Sequence, residues 1–416
     1  MGSNLSKIGR LFTPNLLMLW SVLLGIATGL FSVAFLHVTA KIISSLMIDS
    51  LKLLSVPIIF FSIVATISSM SSIEEMRSLG TKVLKYTLIS TVLAATIALF
   101  FFVIIQPVQV VLVDHAVVNG EHTPNYLSTL LDMFPSNIVK AFAENNVMGV
   151  VLLAFFLGIS SLSIPPEHKQ TLNNLFNSFF SVLVKMTQLL IRVLPLGIWA
   201  FVTLFTLDMK EGNTAIFHNL LRYIIAVFAS TIFQGVVVLP LLLKYKGISP
   251  LKVFKGMFSA VSLAFFSKSS SATLPVTMKC ACENLKISTR VANFSLPLCT
   301  TINMNGCAAF IFTTVLFVSM SYGMVYTPFD MVMWVFIATL AAIGNAGVPM
   351  GCYFLSSAFL AAMNMPLEIM GIILPIYTLM DMVETGVNVW SDCCVTAIVD
   401  KELSEKTAEV KLADCC

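Results

Sequence analysis

Charge is what this sequence lacks. Lys, Arg, Asp and Glu make up 11% of its 416 residues, against about 25% in soluble domains. Hydrophobic residues make up 57%. These proportions exclude an ordinary soluble domain, and no nucleic-acid partner or organic cofactor is expected. Domain linkers and low-complexity tracts are also missing. The cysteines follow no metal-binding spacing. Cys280, Cys282, Cys299, Cys307, Cys352, Cys393 and Cys394 lie in or beside apolar segments and read as small packing residues between helices. Cys415 and Cys416 are open to acylation by position alone.

Apolar runs long enough to span a bilayer, about 20 residues, recur along the chain. They include Leu11–Val38, Tyr86–Val113, Leu172–Leu207 (interrupted by Lys185 and Arg192), Leu220–Leu243 and several beyond Val291. The expectation is an all-α polytopic membrane protein. The opening MGSNLSKIGR is too polar, and the apolar run after it too long, for a cleaved signal peptide.

Basic residues are absent from Tyr86–Val139 and from Val291–Asp400. Elsewhere they cluster: Lys7 and Arg10; Arg77, Lys82 and Lys85; Lys244 to Lys255; Lys279 to Arg290; Lys401 to Lys411. The positive-inside rule puts these clusters mostly in the cytoplasm. The loop VDHAVVNGEHTPNYLSTLLDMFPSN has acids but no Lys or Arg, so it reads as extracytoplasmic. Both termini then face the cytoplasm, and the number of crossings is even.

The character of the chain changes near residue 250. Earlier spans are continuous and mostly apolar; later ones are broken by Ser, Gly, Pro and Asn. SKSSSATLP (Ser267–Pro275) and GNAGVPMG (Gly344–Gly351) place helix-breaking chemistry inside apolar stretches of hairpin length. Paired interruptions of this kind point to a transporter site built from discontinuous helices. Such backbone survives at membrane depth only against protein or a water-filled cavity.

Two further polar islands follow. In TINMNGCAAF (Thr301–Phe310), Asn and Gly disturb a helix. The freed carbonyls and the amides of Asn303 and Asn305 offer oxygens suited to a hard cation. In DMVETGVNVWSD, Asp381, Glu384, Asn388 and Asp392 recur at spacings of three and four, on one helical face. Acids on one face of a span without bases belong toward a cavity and a cationic ligand.

SKSSSATLPVTM, NFSLPLCTTINMNGCA, AGVPMG and DMVETGVNVWSD with TAIV after it occur in an order and at separations that resemble the sodium-coupled dicarboxylate/amino-acid symporters, the glutamate and aspartate transporter family. SLKLLSVPIIFFSIVATISSM (Ser50–Met70) resembles that family's second span, so the likeness covers nearly the whole chain. The resemblance implies eight transmembrane helices plus two re-entrant hairpins, assembled as a homotrimer in the lipid of a cytoplasmic (inner or plasma) membrane. It implies an elevator mechanism: residues 1–249 mainly scaffold, with the third span joining the transport part, 250–400 a transport core, and 401–416 a cytoplasmic tail.

The resemblance also implies roles. Ser269, Ser270 and Ser271 form the first hairpin tip and meet the substrate's α-carboxylate. AGVPMG is the second tip, an outer gate with flexible backbone from Gly347 to Gly351, and brings Val348, Pro349 and Gly351 to the substrate. Asp381 holds the α-amino group, with Thr385, Asn388, Glu384 and Cys307 nearby. Sodium is held at Asp392 with Asn303 and Asn388, at Thr301 and Met304, and at a third site of Asn305, Thr87, Ser90 and Thr91. A proton is the alternative coupling ion.

Three departures stand out. The family reads Asn-Met-Asp-Gly-Thr where this chain has Asn303-Met304-Asn305-Gly306-Cys307; the missing carboxylate bears on the third sodium site. Cys307 replaces a hydroxyl. Glu384 replaces an arginine that pairs with acidic side chains, and a glutamate there repels them unless protonated. The substrate is an amino acid of the glutamate/aspartate class or a neutral one. A C4-dicarboxylate symporter is the alternative, but it leaves Asp381 without an amine. Lys268 reads as a cytoplasm-facing charge, with pairing to Glu384 as its rival. A Ser/Lys intramembrane hydrolase would need Lys268 to face its sequence neighbours Ser269 or Ser271, which helix geometry opposes. No enzyme is expected, and a cation channel gives Asp381 no role.

Overall fold

The computed structural model describes residues 14–31, 34–68, 79–108, 137–143, 147–210, 214–343, 345 and 348–413. Among them every regular element is helical. Spans of sufficient length and apolarity to cross a bilayer are Thr81–Ile105, Pro166–Leu207, Phe217–Tyr245, Thr289–Ser321 and Glu368–Glu405, with shorter apolar helices between them.

Helix α1 (Pro14–Leu30) and α2 (Ala34–Ser68) divide the run Leu11–Val38, which sequence alone presents as one span. The cause is a cap. The His37 ring donates to the carbonyls of Thr28 and Phe31 at 3.3 and 3.2 Å, covering acceptors that a helix end leaves orphaned. After α3 (Thr81–Ile105) come the short α4 (Ile138–Ala143), α5 (Val147–Ser161) and the long α6 (Pro166–Lys210). Both α1 and α2 pack along α6, and α2 also meets α5. Thr28 and Thr203 join α1 to α6 through a 2.6 Å hydroxyl contact. Interhelical hydroxyl bonds are a recurrent glue where lipid offers no hydrophobic drive. Of the loop expected outside, Val113–Ser136 lies outside the described residues, as do Lys7, Arg10 and Arg77.

The rest packs around a centre. α7 (Thr214–Phe233) runs through a π-helical turn (Gln234–Val238) into α8 (Leu239–Tyr245). α9 (Pro250–Ser267) folds back on α10 (Ser270–Glu283). α11 (Thr289–Ile302) and α12 (Asn305–Ser321) form one interrupted span. Its most apolar stretch is 94% buried within the chain, against 33% for Thr81–Ile105. A helix hydrophobic on all sides is an interior helix, and α12 is buried from Asn305 through Met320. α13 (Pro328–Ile343) leads to the second tip and α14 (Gly351–Ala362) leaves it, with the rings of Trp334 and Phe359 in contact between them. α15 (Glu368–Ala413) packs on α9, α11 and α12, and α3 packs on α12 and α13.

One end of this group is tied by charge. Glu402 takes Lys246 at 2.7 Å and Lys82 at 3.3 Å, and the Tyr86 hydroxyl donates to it. The hydrogen bond to Glu402 holds Lys246 above the usual lysine range. Lys401 donates to the carbonyl of Lys246 at 2.8 Å. The knot fixes the far end of α15 against α3 and α8.

Candidate functional site

The first tip is built by chain reversal at the serines. α9 ends at Lys268 in the left-handed region, φ 54°. Ser269 is extended and caps α10, its Oγ accepting from the Ala272 amide at 3.2 Å. Serine is favoured there because its oxygen satisfies an orphan N–H. Ser269, Ser270 and Ser271 therefore stand at a helix N-terminus, whose free N–H groups suit an anion.

At the second tip, Met350 is left-handed, φ 58°, just before α14. A Cβ at position 351 would collide with Asn345 Oδ1, so a larger residue there would displace the Asn345 side chain. Gly347, the first residue of the segment expected to be flexible, lies outside the described residues, as do Gly344 and Ala346.

These two tips face α15 across one cavity. Ser269, Ser270, Ser271, Cys307, Val348, Pro349, Gly351, Asp381, Glu384, Thr385 and Asn388 all line it. Every residue expected at the substrate is thus on its wall. Lys268, at a tight left-handed turn, lines it too. Tyr377, Asn345 and Cys352 complete the wall without having been anticipated. Tyr377 was findable, being one turn before Asp381 on the same face.

Glu384 is 1% exposed, and neither carboxylate oxygen has a hydrogen-bond partner. No ion pair joins it to Lys268 among the described residues, so the rival pairing is not what the structure holds. Asn388 is anchored instead: its Oδ1 accepts from the Gly306 amide at 2.8 Å, and its Nδ2 donates to Cys307 Sγ at 3.4 Å. Cys307 and Cys352 are not separate packing residues. They face one another with Cα atoms 5.4 Å apart, because the first turns of α12 and α14 converge on the cavity. Their sulfurs and a Glu384 oxygen lie within 4.8 Å of one another.

Behind the cavity lies a buried polar cluster at the α11–α12 break. Asn303 Nδ2 donates to Asp392 Oδ1 at 3.0 Å and to Ser391 Oγ at 2.9 Å. Asn303 Oδ1 accepts from Ser90 at 2.9 Å and from Asn305 Nδ2 at 2.9 Å. Asn305 also donates to Ser391 at 2.8 Å. Thr300 reaches Asp392 Oδ2 at 3.5 Å. Thr87 enters through its carbonyl, which accepts from Ser90 at 3.0 Å, while the buried Thr91 hydroxyl has no partner. The Thr301 hydroxyl turns back to the Leu298 carbonyl at 2.6 Å. Met304 lies on the cavity wall, with its sulfur accepting from Asn388 at 3.5 Å. Ser391 and Gln234 were not anticipated. Gln234 was legible only as a lone amide in an apolar run; the π turn that aims it inward leaves no pattern in sequence.

The model of the sodium:dicarboxylate symporter family matches residues 15–402. The chain is 32% identical over 257 residues to a putative sodium-dependent excitatory amino acid transporter, glt-4, of Caenorhabditis elegans, covering 62% of this chain and 51% of that protein. It is 31% identical over 276 residues to excitatory amino acid transporter 3 of Mus musculus, covering 65% and 52%. To neutral amino acid transporter B(0) of Rattus norvegicus it is 26% identical over 319 residues, covering 67% and 57%. The chain spans about half the length of the curated relatives it matches. The family and these relatives are transporters rather than enzymes, and with its apolar helices the chain is a multi-pass membrane protein. It belongs to the sodium:dicarboxylate symporter family.

Proposed function

We propose that the chain is a secondary active symporter that couples amino-acid entry to sodium across a cytoplasmic membrane, with both termini cytoplasmic. One observation carries this reading. A single cavity collects the serine-capped helix N-terminus, Asp381, Thr385 and Asn388, with the Asn303–Asp392 oxygens behind it. The α-carboxylate sits at Ser269 to Ser271, the α-amine at Asp381, and the side chain ends near Glu384 and Cys307. Glu384 offers two acceptors and finds no donor. The substrate class is therefore a neutral amino acid whose side chain brings a donor.

Sodium sits among the oxygens of Asp392, Asn303 and their neighbours, and no organic cofactor takes part. The packing of α1 and α2 on α6 supports a scaffold that assembles as a homotrimer within lipid. The packing of α3 on α12 and α13 supports its movement with residues 250–400.

A C4-dicarboxylate is disfavoured. It would bring a second carboxylate beside Asp381 and Glu384 and leave Asp381 without an amine. The test is uptake of labelled serine, glutamate, lysine and succinate into liposomes, with and without a sodium gradient. Sodium-driven serine uptake above glutamate is expected. Uptake indifferent to sodium, or of succinate alone, would overturn the proposal.

A further inference from the structure

We propose that the Tyr377 hydroxyl is a specificity-determining donor, which gives its proton to an acceptor on the substrate's side chain. The inference rests on the cavity being the substrate site. It narrows the substrate to a neutral amino acid with a hydroxyl or a carboxamide, and it sets alkyl side chains aside.

Tyr377, Asp381, Glu384 and Asn388 stand at spacings of four, three and four along α15, on one helical face. All four line the cavity. Packing fixes the Tyr377 ring: its centroid lies 4.8 Å from the Phe310 ring of α12 and 5.4 Å from the Tyr353 ring of α14. The residue is fully buried, yet its hydroxyl has no hydrogen-bond partner among the described residues. Two neighbouring buried tyrosines behave otherwise. Tyr353 donates to the Met370 carbonyl at 2.8 Å, and Tyr223 shares a 2.8 Å hydroxyl contact with Thr314. A buried tyrosine hydroxyl ordinarily finds a partner, and one left unanswered costs the fold free energy.

Tyr377 Oη and the two Glu384 oxygens are thus unanswered polar atoms on one cavity wall. The Glu384 carboxylate is within electrostatic range of the Tyr377 hydroxyl, but no hydrogen bond joins them. A phenol has one proton to give. A side chain that reaches this wall and carries an oxygen takes that proton, and its own hydrogen goes to Glu384. A serine or threonine hydroxyl does both with one atom; an asparagine or glutamine carboxamide does so with two. An alkyl side chain leaves both groups buried and unpaired. Sites built to hydrogen-bond a polar group reject the analogue that lacks it. The division of labour is therefore by kind: Glu384 bears on the charge of the side chain, and Tyr377 separates polar from alkyl.

The test compares Tyr377→Phe with the parent, as full chains in detergent and in liposomes with a sodium gradient. Phenylalanine keeps the ring and removes only the hydroxyl. Melting is measured alone and with serine, asparagine, glutamine or alanine, and uptake of labelled serine and alanine is measured alongside. Without substrate, the variant should melt at or above the parent, because an unanswered hydroxyl is gone. The parent should favour serine, asparagine or glutamine over alanine by about tenfold or more. The variant should lose most of that preference, with alanine unchanged. Lower melting with an equal loss for every amino acid would make the hydroxyl structural and overturn the proposal. An unchanged preference in the variant overturns it and leaves the symport reading standing. If the variant misfolds, the parent decides: no preference for serine, asparagine or glutamine over alanine overturns the assignment. A polar preference in the melting shifts that Tyr377→Phe removes, without sodium-driven uptake in either protein, sustains the subsite and sinks the symport reading.

Discussion

Gln234 donates its side-chain amide to Asn305. Nε2 lies 2.8 Å from Asn305 Oδ1 and 3.0 Å from the Ser90 carbonyl. Asn305 in turn donates to Asn303 Oδ1 and Ser391. Neutral amides thus hold the position where the family pattern has a carboxylate. Their own hydrogens answer the oxygens that a cation would otherwise answer. This supports fewer coupled sodium ions than in relatives with an acid at that position.

Asn305→Asp reverses that balance. The new carboxylate faces Asn303 Oδ1 with no proton between them, and a bound cation relieves the repulsion. Thermal stability of the variant should rise with sodium far more than that of the parent, by mass action on the folded state. Sodium affinity should increase by about tenfold or more, equivalent to about 1.4 kcal/mol, or the sodium-to-substrate ratio should rise. Identical sodium dependence of melting, affinity and ratio in both proteins would remove the idea.

Asp392 is 1% exposed, and among the described residues Asn303 and Thr300, both neutral, donate to it. A buried intramembrane carboxylate without a base is a place for a cation. Asp392→Asn keeps the shape and removes the charge. The sodium concentration for half-maximal uptake should rise by about tenfold or more, with the steep sodium dependence lost. Wild-type sodium activation in this variant would exclude Asp392 as a ligand.

The sequence made the cavity readable because its residues sit in short, ordered segments. Ser269 to Ser271 interrupt an apolar run, and Asp381, Glu384 and Asn388 obey helical spacing. The α11–α12 break followed from Asn303 to Gly306. What stayed hidden depends on contacts between distant segments. Nothing local brings Cys307 to Cys352, turns Gln234 inward or sets Lys268 on the cavity wall. The division of Leu11–Val38 was hidden for a similar reason, since the His37 ring that caps the end of α1 reaches back to two carbonyls.

Gly306 sets how closely α12 approaches α15. A Cβ there would stand 2.7 Å from the Glu384 Cα. Backbone cannot rotate aside as a side chain does, so overpacking of this kind costs about 1–3 kcal/mol. Gly306→Ala should lower the melting temperature and weaken serine uptake together, because the same shift strains the bond from the Gly306 amide to Asn388. A variant with unchanged melting and uptake would show that the seam has slack.

Glu384 lies one helical turn from Asp381, on the cavity wall, with both oxygens unanswered. If it is ionised in the working protein, glutamate and aspartate compete poorly and serine competes well. If it is protonated, acidic substrates enter with that proton, and their uptake rises as pH falls. Glu384→Arg exchanges repulsion for a bidentate partner, so it should move selectivity toward aspartate and glutamate by about tenfold or more. Glu384→Gln should flatten any pH response while keeping serine. The measurement is competition by glutamate, serine and lysine against labelled serine, in the parent and both variants, at two pH values. Unaltered selectivity and pH response in Glu384→Arg would mean that the side chain does not meet the substrate, and the neutral-substrate reading would lose its basis.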